Sequence, residues 1–218
     1  MKAQALVFMG APGAGKGTQA RKVATEFAIP HISTGEILRE AVAGGAPLGL
    51  AAKEKMDAGM LVPDAIMCKI VEERVSREDC RNGFILDGFP RTLGQARFMD
   101  EMLQRQGRMR LLVLNLQVEP VLLMKRLTGR RTCPVCGRIY NMFFNPPAND
   151  SVCDLDGARL IERADDKEDA IRHRLAAYDR DTSPLIDYYE DRGVLHNVNG
   201  SRDPEAIAKE LHGFLRTA

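Results

Sequence analysis

The sequence predicts an α/β fold, a parallel five-stranded sheet wrapped by helices, with two insertions: a small helical one and a cysteine-bearing one. Three observations carry that prediction. A short apolar run, residues 3–9, empties directly into the glycine-rich stretch Gly10-Ala-Pro-Gly-Ala-Gly-Lys16-Gly-Thr18, where a helix opens. Short apolar runs without polar alternation recur at 83–87 and 111–116, the pattern of strands covered on both faces, and helical periods separate them. Residues 129–166 break this rhythm with three cysteines, adjacent prolines at 146 and 147, and almost no helical period.

In chain order, 18–27 follows the loop as a helix, and Pro30 holds 29–33 extended. Ser33 stands three residues before Glu36, the spacing of a capping box that opens a helix. Gly44, Gly45 and Pro47 end that helix, 49–58 resume with helix formers, and 59–64 read as a turn with Asp64 as the next cap. Ala65, Ile66, Cys68, Ile70, Val71 and Val75 suit a helix returning to the core, with Cys68 as packing. Strand 83–87, helix 92–105, strand 111–116 and helix 119–127 continue the alternation, which with right-handed crossovers gives a parallel sheet. Helices at 166–181 and 184–192, a last strand at 194–198 and a closing helix at 204–215 complete it. The division is therefore 1–32 core, 33–62 first insertion, 63–128 core, 129–166 second insertion and 167–218 core.

Composition excludes several classes. With 218 residues, 44% hydrophobic and 28% charged, the chain has ordinary globular character and enough length for one filled core. A net charge of +1 argues against a protein devoted to long nucleic acid or anionic membrane, so any cationic site is local. Lys2 before the apolar run mimics a leader, but the run ends in the glycine loop itself. Asn115, Gln117 and Glu119 interrupt the most hydrophobic region, and no window reaches bilayer-spanning length. The expectation is a soluble, cytoplasmic protein, and five cysteines, an odd number, fit a reducing compartment.

The glycine-rich stretch carries the clearest chemistry. Its glycines let successive N–H groups point into one concavity, which suits a polyphosphate. Gly13, Ala14, Gly15 and Gly17 supply backbone, Lys16 a mobile cation for the β- and γ-phosphates, Thr18 a hydroxyl near a bound Mg²⁺, and the helix its positive end. The spacing fits the Walker A form G-x-x-x-x-G-K and makes the sheet one of P-loop NTPase type. One departure stands out: Gly17 occupies the place where Ser or Thr is usual. Asp87 and Arg91, at the carboxyl end of a buried strand, fall where open α/β sheets put ligands.

Cys133 and Cys136, then Cys153 and Asp156, form two x₂ pairs with the spacing of two knuckles closing a tetrahedral Zn²⁺ site. Asp156 is the expected fourth ligand and Asp154 its rival. With every position taken by protein, the metal would be structural and would fold a segment too small to bury its own core.

The stretch GAPGAGKGTQA resembles the nucleoside monophosphate kinases, adenylate kinase most closely, and the likeness extends over essentially the whole chain. HISTGEILR, DGFPRT, KRLTGRR, FNPP and ERADDKEDAIRHRL carry it, and the cysteine-bearing segment is similar to the lid of bacterial, metal-containing long-lid members. The resemblance implies that Arg39 and Arg91 hold the AMP phosphate. It implies that Arg126, Arg130, Arg163 and Arg174 clamp the ATP phosphates and close the lid, with Arg163 and Arg174 also reaching AMP. Thr34 and Gln95 match the residues that read adenine. Met60, Leu61 and Val62 would add carbonyls, Gly88, Phe89 and Pro90 the wall beside AMP, and Ile139, Tyr140 and Gly200 contacts on the ATP side. Glu36 replaces the more usual Asp, and Met60 sits where Lys is common.

So read, residues 33–62 are an AMP-binding insertion and 129–166 a lid. The activity implied is reversible transfer from MgATP to AMP giving two ADP, in adenine nucleotide balance and purine salvage. Lys16, Arg91, Arg126, Arg163 and Arg174 are the catalytic cations, and Asp87 orders Mg²⁺ directly or through water. The partners are ATP, AMP and ADP, with no nucleic acid or membrane, and the family implies a monomer. Two other readings stay open: a kinase using a different monophosphate or donor, which Thr34 and Gln95 oppose for the acceptor, and a zinc ribbon binding nucleic acid, which the balanced charge opposes.

Overall fold

The computed structural model describes residues 4–107 and 109–217. Its centre is a five-stranded parallel sheet in the order β2-β3-β1-β4-β7. These strands are β1 (Gln4–Met9), β2 (His31–Ser33), β3 (Gly83–Asp87), β4 (Arg110–Gln117) and β7 (Leu195–Asn199). The first residue of the predicted strand, Ala3, lies outside the described residues.

The strands alternate between two cores, as a sheet covered on both faces must. Ala5, Val7 and Met9 face one side with Phe84, Leu86 and Val113, under Val71, Met99, Leu185 and Tyr189. Those four belong to α4 (Asp64–Val75), α5 (Leu93–Gln106) and α8 (Leu185–Glu190). Leu6, Phe8, Ile85, Leu112 and Leu114 face the other side, under Val23, Leu123 and Leu211. These come from α1 (Lys16–Phe27), α6 (Pro120–Thr128) and α9 (Pro204–Thr217). At about 1.5–3 kcal/mol for each fully buried aliphatic side chain, this double core holds the frame of the cleft.

Two stretches leave the sheet. The first is a helix pair, α2 (Thr34–Ala43) and α3 (Pro47–Asp57). α3 begins earlier than its glycine suggested, because Pro47 sits in the first turn, where a missing N–H costs nothing. The second contains an antiparallel pair, β5 (Arg130–Thr132) and β6 (Ile139–Asn141), with bridges Thr132↔Ile161 and Val152↔Arg159. It is more sheet-like than its composition indicated.

Three local expectations are corrected. Asp64 is the first residue of α4 rather than its cap, and Pro63 precedes it without a side-chain cap. Ser33 does cap α2, accepting from Glu36 N at 3.4 Å, but the Glu36 carboxylate pairs with Arg21 instead of returning to close the box. The single helix expected at 166–181 is a 3₁₀ turn, Ala164–Asp166, then α7 (Glu168–Ala177), then a π turn, Tyr178–Thr182. Among the described residues, no helix is long and apolar enough to cross a membrane.

Candidate active site

β1 sits at the centre of the sheet, and the chain goes to opposite sides of it for β3 and β4, so a crevice opens at its carboxyl end. The glycine loop fills that point. Gly10 takes φ +131°, and a Cβ there would lie 2.5 Å from the Leu116 carbonyl oxygen, so another residue is both strained and blocked. The place of Gly17 is explained by Asp87: a Cβ at Gly17 would stand 3.1 Å from Asp87 Oδ2. A Ser or Thr at that position would crowd the carboxylate, and Thr18, exposed, carries the neighbouring hydroxyl.

Lys16 folds over its own loop, donating to the carbonyls of Gly10 at 2.8 Å and Ala11 at 3.0 Å. Burial pulls its pKa down to about 8, against the opposing pull of Asp87. Asp87 is itself mostly but not fully covered, and desolvation works against its charge, yet His31, Lys16 and Arg91 outweigh it and hold its carboxyl below the usual range. His31 Nε2 lies 3.6 Å from Asp87 Oδ2.

Around this pair the arginines converge. Lys16 feels the charges of Arg91, Arg174 and Arg130, while Arg163 feels those of Arg130 and Arg39. Arg163 is driven down to about 9, first by burial and then by that repulsion. Burial likewise lowers Arg39, Arg91 and Arg174. Arg126 stands slightly apart, its Nη1 donating to the Ala14 carbonyl at 3.3 Å. A cleft that desolvates this many cations together is chemically poised for a polyanion.

Two carboxylates that the sequence reading left unassigned hold the arginines in place. Asp166, fully buried, accepts from Arg130 Nε at 2.7 Å and from Arg174 Nη1 at 3.1 Å, and Arg174 also pairs with Asp165 at 3.0 Å. The signal was present: two adjacent acids at the start of a helix, bracketed by Arg163 and Arg174.

Next to the arginines is a second pocket, lined by Thr34, Arg39, Met60, Leu61, Val62, Gly88, Arg91 and Gln95. Phe89 lies buried beside it, joined to Pro90 by a cis peptide bond. Thr34 donates to the Gly88 carbonyl at 3.0 Å, which leaves its oxygen free to accept. Gln95 is fixed at both ends, its Oε1 accepting from Arg91 N at 2.8 Å and its Nε2 donating to Asp64 at 2.7 Å. Asp64 also takes the Thr92 hydroxyl at 2.6 Å, a role its place in the sequence did not announce.

On the opposite side, Gly200 donates to the Gln117 carbonyl at 2.8 Å, and a Cβ on it would come within 3.4 Å of the Ala14 carbonyl. Gly200 therefore borders the glycine loop at Ala14. Ile139 is half-buried in β6. Tyr140 points inward, its hydroxyl accepting from Asp154 N at 2.8 Å and lying 3.5 Å from Cys153 Sγ, so its outward-facing part is backbone.

Cys133, Cys136, Cys153 and Asp156 bring one ligand atom each to within 4.8 Å of one another. Tetrahedral Zn²⁺ with Zn–S bonds of about 2.3 Å requires S···S near about 3.8 Å. The Cys136–Cys153 sulfurs stand 3.6 Å apart, and Cys133 Sγ is 3.2 Å from Asp156 Oδ2. A hydrogen bond to the Asp156 carboxylate pushes the Cys136 thiol up to about 12, so a divalent cation would take the place of that shared proton. The donor set fits zinc. Asp154 turns away and accepts from Ala148 N at 2.9 Å.

Fold and site together define a phosphate-loop kinase with a cation-lined cleft between two pockets. The sequence profile of the family described as Adenylate kinase matches residues 8–194. An adenylate kinase of Archaeoglobus fulgidus is 50% identical over 210 residues, spanning 96% of this chain and 97% of the relative. Adenylate kinases of Thermodesulfovibrio yellowstonii and Bacillus subtilis are 50% and 47% identical, over 96% and 97% of this chain and 98% and 99% of theirs. The chain belongs to the adenylate kinase family of phosphotransferases.

Proposed function

We propose that this protein transfers the terminal phosphoryl group of MgATP reversibly to AMP, giving two ADP, as a cytoplasmic monomer serving adenine nucleotide balance and purine salvage. The observation that carries the reading is the set of mutually repelling cations gathered between the glycine loop and the Thr34–Gln95 pocket. Two polyanions meeting there would relieve that repulsion. ATP takes the backbone of Gly13 to Thr18, with Lys16, Arg126 and Arg130 on its phosphates and Ile139, Tyr140 and Gly200 at the far side. AMP takes Arg39 and Arg91, with Thr34 and Gln95 at its base. Gln95 keeps one lone pair and one proton for that base beyond its contacts to Arg91 and Asp64.

The acceptor needs no general base. Its second phosphate pKa is about 6, so it is largely dianionic at neutral pH, and catalysis reduces to positioning and charge stabilisation. Thr18 and Asp87 would hold Mg²⁺, directly or through water, and its charge would neutralise phosphate oxygens. Lys16, Arg91, Arg126, Arg163 and Arg174 surround the position of the transferring group and offset its developing charge. Residues 33–62 act as the AMP-binding insertion and 129–166 as a lid, with zinc a structural cross-link in the latter. Their closure excludes water until both substrates are seated.

The test is a coupled assay with MgATP and AMP, UMP, CMP or GMP in turn. ADP formation that depends on AMP and is at least tenfold weaker with the others is expected. Equal use of any other monophosphate would overturn the acceptor assignment.

A further inference from the structure

One contact between the two excursions passes through a residue with no part in the proposed chemistry. Arg21 lies on α1, five residues beyond Lys16. Its Nη2 pairs with the Glu36 carboxylate on α2, and its Nη1 donates to the Gly137 carbonyl at 3.4 Å. One guanidinium on the rigid frame thus touches both segments that flank the cleft.

Each end of the contact is positioned by its surroundings. Glu36 N is tied to the Ser33 hydroxyl, so its carboxylate starts from a fixed point in the first turn of α2 and reaches across to α1. Gly137 closes the first cysteine knuckle: its N donates to the Cys133 carbonyl at 3.1 Å, and its φ of +71° turns the chain back. The carbonyl Arg21 meets is therefore set by the same turn that presents Cys133 and Cys136 as ligands. A planar guanidinium with five donors can serve both partners at once, which an ammonium on a flexible stem does less well.

Resting on the function proposed above, we infer that Arg21 is a positioning residue that couples the seating of AMP to closure of the cysteine-bearing segment. With α2 drawn over AMP, Glu36 holds the guanidinium where its other edge receives the Gly137 carbonyl. With the knuckle in place, that carbonyl holds the guanidinium for Glu36. Each closure then favours the other, and the coupling is reciprocal.

The test uses the full chain and its Arg21→Gln, Glu36→Gln and doubly substituted forms. AMP is titrated calorimetrically with and without a non-hydrolysable ATP analogue. In the unsubstituted protein the analogue tightens AMP binding. Each single substitution is expected to remove about two- to fivefold of that tightening, the range of a half-exposed ion pair, and the double no more than the larger single effect. AMP affinity without the analogue stays within about twofold.

Tightening unchanged in Arg21→Gln overturns the inference. So does an equal loss of AMP affinity with and without the analogue, additive single effects, or no tightening in the unsubstituted protein. A protein that makes no ADP from MgATP and AMP overturns the underlying reading as well. Normal ADP formation together with unchanged tightening overturns the coupling alone.

Discussion

The two segments that flank the cleft are held by opposite means. The helix pair α2–α3 sends Leu38 and Ala52 into the main apolar cluster beside Val71 and Phe89, and Val62, just beyond α3, joins them. The cysteine-bearing segment has a separate core of Cys133, Tyr140, Cys153 and Leu160, and two of those four are ligand candidates. Around it Val135, Phe143, Phe144, Leu155 and Ile161 are exposed. One segment is therefore stabilised by the frame it leaves, whereas the other has only its own small core and the zinc that its four donors are proposed to hold. The first cannot loosen without cost to the whole molecule, whereas the second would fold and unfold as a unit with its metal.

Metal removal should break the comparison most sharply. Chelation, or Cys153→Ser, is expected to abolish amide protection across 130–161 while leaving α2 and α3 unchanged, as read by hydrogen exchange. Protection retained in both would mean that the small core stands without coordination. The next largest effect lies at the joint between segment and frame. Asp166→Asn leaves Arg130 and Arg174 with a neutral partner in a buried site and should cost about 3 kcal/mol in urea unfolding.

Leu38→Ala should cost about 2 kcal/mol or more globally, lowering the melting temperature by about 2–4 °C per kcal/mol. Leu160→Ala, in the small core, should instead raise exchange only within 130–161. Equal global losses from both would erase the distinction.

The smallest effect is a proton. Lys16 has a folded pKa of about 8 against 10.5 unfolded, so burial disfavours its charge in the folded protein and its contribution to stability rises with pH between those values. A bound polyphosphate reverses that preference. ATP binding at pH 8 should take up about half a proton, seen as a buffer-dependent calorimetric enthalpy that Lys16→Met removes. No buffer dependence would mean that the loop lysine is fully charged before the ligand arrives.

The frame was legible because its causes are local. Doubly covered strands write continuous apolar runs, and Gly10 to Gly17 demand a turn that few other residues can make. The arginines were legible as motif positions, but what holds them was not. Asp165 and Asp166 look like ordinary charges at a helix start until the fold buries Asp166 between Arg130 and Arg174. Asp64 reads as a cap, and only the approach of α5 gives it Thr92 and Gln95 as partners. Glu36 has the capping-box spacing, but Arg21, distant in sequence, competes for its carboxylate. The short strands of the cysteine-bearing segment were hidden because three-residue pairings leave no period to detect.

On the function proposed above, the arginine cleft becomes active only when both segments close over both substrates. The most direct measurement compares ATP consumption in one preparation with and without AMP. Rapid ADP formation is expected with AMP, and hydrolysis lower by at least about a hundredfold without it. Hydrolysis of ATP alone at a rate comparable to transfer would contradict it.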